Sequence, residues 1–157
     1  MCVYFSDIAA APCINVYGSA NKTTLTPLFL KQKKAVRIIA KVNYREHTGP
    51  LFADLEILPI EELITYHRLK FMHSYYFQKL PLSFAQLWQT NIERNPDRTL
   101  RNANDYFIPQ HRIELVKKLP LFSFPAAWNS EIDEKFNPSQ KAYLKTLKSR
   151  LLVNVDR

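Results

Sequence analysis

Between positions 31 and 45 the chain carries six cations and no acid: Lys31, Lys33, Lys34, Arg37, Lys41 and Arg45. Cations repeated along one rod can meet successive phosphates and release condensed counterions. Such contacts hold a sugar-phosphate backbone without reading its sequence. The plainer alternative is the solvated face of an ordinary basic helix. Arg94, Arg98 and Arg101, spaced along a later polar stretch, are candidates to extend the same chemistry.

Other reactive side chains are poorly placed for catalysis. Two-metal polymerases and nucleases need clustered carboxylates. The nearest approaches are Glu61-Glu62 and the group Glu131, Asp133 and Glu134. The first pair stands at an expected helix start, where acids are stabilised in any case. His47, His67, His73 and His111 have no zinc-like spacing with Cys2 and Cys13. His67 sits on an apolar stripe as a packed histidine would. His47 is placed either to meet a phosphate or to cap the next helix, and capping is favoured. Cys13 has no evident His partner, and no Ser lies in a G-x-S-x-G elbow. Trp88 and Trp128 follow apolar neighbours and read as core before they read as base-stacking platforms.

The elements that would carry these groups are mainly α. After Thr26-Pro27, Leu28, Phe29, Gln32, Val36, Ile39 and Ala40 fall near helical spacing, with the cations around the rest. This predicts a basic amphipathic helix over roughly residues 27–42, with Gln32 as a flaw in its apolar face. The sign of charge then reverses: residues 46–66 hold Glu46, Asp54, Glu56, Glu61 and Glu62 and no Lys or Arg. The two blocks are either separate surfaces or partners that cancel. Thr48 can cap a short helix to about Leu55. A longer helix opens at Pro59 and repeats Ile60, Leu63, Ile64, His67, Phe71 and Met72 until Leu80-Pro81 ends it. Ser83 can cap a shorter one carrying Phe84, Leu87 and Trp88. Residues 89–105 read as a polar loop. Tyr106-Phe107-Ile108 and Leu121-Phe122-Ser123-Phe124 read as extended segments, and Pro125 to Asn129 as a helical turn. Ser139 caps a final helix with Ala142, Leu144, Leu147, Leu151 and Leu152 inward.

The whole chain agrees with one mainly α fold of about four or five helices and one or two short extended segments. It has 157 residues, 46% of them hydrophobic, enough for a real core. Two glycines against ten prolines leave little room for tight hairpins or phosphate-cradling loops. The net charge of +8 favours a polyanion as partner. Two cysteines are too few for a disulfide framework, which suits a reduced, intracellular compartment. No apolar run reaches the roughly 18 residues of a membrane span. The apolar start lacks the basic opening of a secretory signal and reads as the end of something longer.

The order and spacing of several short motifs resemble a known family. Asn15-Val16-Tyr17-Gly18-Ser19 precedes Gln32-Lys33-Lys34-Ala35-Val36-Arg37-Ile38-Ile39. Then come His47-Thr48-Gly49-Pro50-Leu51-Phe52, Leu55-Glu56-Ile57-Leu58-Pro59-Ile60 and Phe71-Met72, and later Arg112, Trp128-Asn129 and the closing leucines. Together, over roughly residues 13–152, they look like the segment after the polymerase domain in jockey-like non-LTR retrotransposon reverse transcriptases. The family usually shows Trp-Gly where this chain has Tyr17-Gly18. The resemblance implies a thumb or post-thumb region of an RNA-directed DNA polymerase, acting in the nucleus or cytoplasm with no membrane partner. It would divide the chain into a remnant of an upstream segment (1–25), a thumb-like region with the basic helix (26–88), the polar loop (89–105) and a C-terminal part (106–157). The family's catalytic Asp-Asp turn has no counterpart here, so no catalytic residue carries over, and the magnesium of the parent polymerase would have no ligands in this chain. What does carry over is the basic set Lys31, Lys33, Lys34, Arg37, Lys41 and Arg45. The implied partners are an RNA or RNA–DNA template–primer duplex and the parent's upstream polymerase domain.

Overall fold

The computed structural model describes residues 14, 17–97, 101–131 and 138–153. Asn15, Val16, Cys2, Cys13, Arg98, Asp133 and Glu134 therefore lie outside the described residues. Those described form seven α-helices: α1 (Lys22–Ala40), α2 (Thr48–Asp54), α3 (Ile60–Tyr76), α4 (Asn91–Arg94), α5 (Glu114–Lys117), α6 (Pro120–Asn129) and α7 (Gln140–Val153). Five of these run seven residues or longer, and a 3-10 turn covers Leu82–Phe84. The only β pairing among the described residues is an isolated antiparallel bridge between Thr90 and Tyr106. The fold is mainly α.

The basic helix starts five residues before the expected Thr26-Pro27 boundary. Asn21 caps it by position, its carbonyl taking the N–H groups of Thr24 and Leu25 at 2.9 and 3.2 Å. Thr26 is helix interior, its hydroxyl donating back to the Lys22 carbonyl at 2.8 Å. Pro27 stands inside the helix, past the first turn, where it has no N–H to give to the Thr23 carbonyl.

Scarcity of glycine shows at the helix ends. Helices commonly close on a left-handed residue, usually glycine, that returns two N–H bonds to the last turn. Here three non-glycine residues take that conformation: Lys41 (φ 55°), Glu56 (φ 52°) and Gln78 (φ 52°). Around Lys41 the bonds are Lys41 N–H to Ile38 O and Val42 N–H to Arg37 O, at 3.2 and 3.1 Å. Ile57 N–H reaches Phe52 O at 2.9 Å and Lys79 N–H reaches Ser74 O at 2.8 Å in the same way. Gly18 is used otherwise: a Cβ there would stand 2.6 Å from Ile64 Cγ2 and 2.9 Å from the Ile14 carbonyl oxygen.

The described chain divides into two compact units, one up to His67 with the part from Leu144 onward, the other Arg68–Tyr143. The first buries Ile14, Val36, Phe52, Leu58, Ile64, Leu147 and Leu151. Gln32, the apparent flaw in α1, joins α1 to the entry of α3. Its Nε2 donates to Leu58 O at 2.8 Å and its Oε1 accepts from Ile60 N–H at 3.0 Å.

The second unit is aromatic. Phe71 meets Phe84, Trp88 and Phe124 edge-on, with centroids 5.8, 6.4 and 5.4 Å away. His73 is fully buried, stacked on Tyr143 at 4.8 Å and beside Phe77 at 4.6 Å. Leu121 to Phe124, expected to be extended, are helical in α6. Pro120 at the helix start fixes φ for the first turn, and Phe124, Pro125 and Trp128 then share the buried side. Asn129 at the end of α6 accepts from Tyr106 N–H at 2.9 Å and donates to Tyr106 O at 2.8 Å, supplying the pairing a neighbouring strand would give. Within the expected polar loop, Asn91–Arg94 form a helical turn with a Thr90/Glu93 capping box. Ser83 lies in the 3-10 turn and caps no longer helix. In α7, Ala142, expected inward, is exposed, and Tyr143 beside it is buried.

Candidate nucleic-acid interface

Helix α1 places the candidate cations by its periodicity. Lys31 and Lys34, three apart, share one side, and Lys33 and Arg37, four apart, share another. Lys41 follows at the left-handed cap, and Arg45 lies in the turn leading to α2. Lys31, Lys34, Lys41 and Arg45 are exposed, while Lys33 and Arg37 are partly covered.

The local contacts of this set are uncharged. Lys33 Nζ lies 4.4 Å from the centroid of the Phe29 ring, and Phe29 stacks on Phe52 of α2 at 6.4 Å. Arg37 Nε donates to the Glu46 carbonyl oxygen at 2.9 Å, which ties the end of α1 to the following turn through backbone. Arg45 Nε donates to the Tyr44 hydroxyl at 2.7 Å, with the guanidinium 5.2 Å from that ring. Tyr44 itself is exposed, and sequence patterning gave no sign of this pair.

The acidic block does not neutralise the basic one among the described residues. The ion pairs found there are Lys117 with Glu114 and Lys148 with Glu56, the latter at 3.7 Å. Glu56 thus turns to a cation on α7, and Glu46 offers Arg37 its carbonyl and not its carboxylate. Among the described residues none of the six cations pairs with a carboxylate, and Lys31, Lys34, Lys41 and Arg45 are exposed.

That surface is also partly apolar. Leu28 and Ile39, expected on the inward side, are each 48% exposed. Leu30 at 59% and Ile38 at 67% flank Lys34 at four-residue steps on the outer side. The inward stripe is narrower than periodicity suggests, because Phe29, Gln32 and Val36 suffice to meet α2 and the Leu58–Ile60 segment.

Other candidates resolve as structure. His47 stands at the N-terminal cap of α2 by position, but its side chain makes no capping bond, so the favoured capping role is not seen. His67 and His73 are buried, and His111 lies edge-on to Phe122 at 4.5 Å. Burial, with Glu61 adding repulsion, pushes the Glu62 carboxyl above its ordinary value. Arg94 lies 3.7 Å from the Phe107 ring centroid and Arg101 is exposed, both in the second unit. Among the described residues no group of three or more His, Cys, Asp and Glu could hold a metal ion, and no helix is long and apolar enough to cross a membrane.

Compared with protein-family models, curated proteins and solved structures, the chain matches none.

Proposed function

We propose that the chain is a non-catalytic part of a retrotransposon RNA-directed DNA polymerase that holds template–primer nucleic acid through α1. One observation carries the reading: none of the six cations of α1 and the following turn has a carboxylate partner among the described residues, and Lys31, Lys34, Lys41 and Arg45 are exposed, although an acidic block follows within the same unit. The motif resemblance supplies the parent protein, and the bond-forming chemistry then belongs to residues outside this chain. A phosphate backbone is the polyanion that a rod of such spacing suits, and binding would depend little on base sequence.

The test is a salt titration of binding to an RNA–DNA hybrid duplex. Log affinity should fall against log salt with a slope of about −0.9 for each phosphate neutralised. Lys34→Glu combined with Arg37→Glu should weaken binding more than about tenfold while leaving the helical circular dichroism unchanged. A flat salt response, or unaltered affinity in the double variant, removes α1 from the interface.

A second reading has its own support in the exposed Leu28, Leu30, Ile38 and Ile39. It is a structural or protein-interaction piece that binds no nucleic acid, with α1 covered by another protein surface. Self-association that ignores both salt and added duplex would favour it.

A further inference from the structure

Within the second unit a cavity of about 430 Å³ opens beside Tyr75, Tyr76, Phe84, Trp88, Tyr106 and Glu93. Its walls are set by bonds made away from the opening. The Tyr75 hydroxyl accepts from Trp88 N–H at 3.1 Å and donates to Trp88 O at 3.0 Å, which holds the two rings edge to face at 4.8 Å and 83°. Tyr106 is fixed by Asn129 and lies 5.8 Å from Tyr75 at 67°. Trp88 and Tyr106 are largely buried, and the three rings stand at steep angles to one another beside one space.

A single carboxylate borders it. Glu93 Oε2 accepts from Thr90 N–H at 2.7 Å in the capping box, which fixes the group and leaves its other oxygen free of that bond. Glu93 has no ion-pair partner among the described residues, and the adjacent Arg94 is turned onto the Phe107 ring. In a chain of net charge +8, the charged group at this opening is negative. Tyr106 adds no charge of its own: burial pushes its hydroxyl well above its usual range, and Tyr75, Tyr76 and Glu93 raise it further.

Aromatic faces attract a cation through the ring quadrupole, most strongly one whose charge is weakly hydrated, and a nearby carboxylate adds to the attraction. A cavity this size lies within the range of small-ligand pockets, roughly 300–1,000 Å³. We infer that the Tyr75–Trp88–Tyr106 pocket, with Glu93 at its edge, binds an organic cation of the alkylammonium class. The site is separate from α1 and does not depend on nucleic-acid binding there.

The test is an NMR titration of the full chain with choline, following the Trp88 indole N–H and the Thr90–Glu93 amides. Saturable shifts confined to these groups are expected. Glu93→Gln keeps the capping box, because Gln serves at that position as Glu does. It should weaken choline binding by roughly fivefold, the factor of one charge pair at contact in water. The neutral carbon isostere 3,3-dimethylbutan-1-ol should bind more weakly than choline to the native chain and equally to the native chain and to Glu93→Gln. Absence of saturable shifts, equal binding of choline and isostere, or no effect of Glu93→Gln would each overturn the assignment.

Discussion

The two units solve the same local problem with different cores. Each holds an irregular stretch of backbone with one carboxamide: Gln32 grips Leu58 and Ile60 in the first, and Asn129 grips Tyr106 in the second. Around Gln32 the core is largely aliphatic, and the unit carries a row of cations with no carboxylate partner among the described residues. Around Asn129 the core is a lattice of rings, with a carboxylate at the edge of its cavity. In the first unit Phe29, Gln32 and Val36 form a narrow covered stripe on α1, with Leu28, Leu30, Ile38 and Ile39 exposed. Aromatic pairs prefer edge-to-face or offset-stacked angles, and the second unit's cavity lies beside such a cluster, bordered also by Leu80, Pro81 and Leu82.

Removing the central ring should separate the units most sharply. Trp128→Ala deletes a buried side chain that contacts His73, Tyr76 and Tyr143, and should cost about 3–5 kcal/mol. Hydrogen exchange should rise across Arg68–Tyr143 first. Equal loss of protection around Val36 and Phe52 would mean that the units do not differ in this way.

The two clamps allow a matched comparison. Gln32→Leu and Asn129→Leu each orphan one N–H and one carbonyl, and each should cost about 1–3 kcal/mol in denaturant unfolding. The first should loosen amides near Ile60 and the second those near Tyr106. The same pattern from both variants would break the parallel.

Gln78→Gly relieves a left-handed conformation and should stabilise by about 0.5–1 kcal/mol, read as a raised melting temperature. The smallest effect concerns Glu62, half-exposed in the first turn of α3. Burial holds its carboxyl above the ordinary value of 4.5, so the native state binds the proton more tightly than the unfolded chain. By linkage, stability falls as pH rises from about that value through the raised one. Glu62→Gln should therefore add a few tenths of a kcal/mol at pH 7 and nothing at pH 3, after discounting for solvent screening. A difference that grows at acid pH would reverse the assignment.

Much of the candidate interface was legible because charge and periodicity are local properties. The six cations, their helix, the acidic block and the closing leucines follow from residue type and spacing. Helix boundaries were less legible. The start of α1 is set by backbone at Asn21 and not by Thr26, and with few glycines the C-caps fall on Lys41, Glu56 and Gln78, which nothing in their side chains announces. Leu121 to Phe124 read as a strand because aromatic runs favour both states, and packing beside Trp128 decided for helix.

By itself the sequence determined the helical class and the reversal of charge after Arg45, since each depends only on which residues stand near one another along the chain. Tertiary structure alone decided that Glu56 turns to Lys148 and not, among the described residues, to an α1 cation, that Gln32 and Asn129 are clamps, and that Glu93 borders an aromatic cavity. These depend on distances between residues far apart in the chain, which are fixed by how side chains fill space and by where each buried N–H and carbonyl finds its partner.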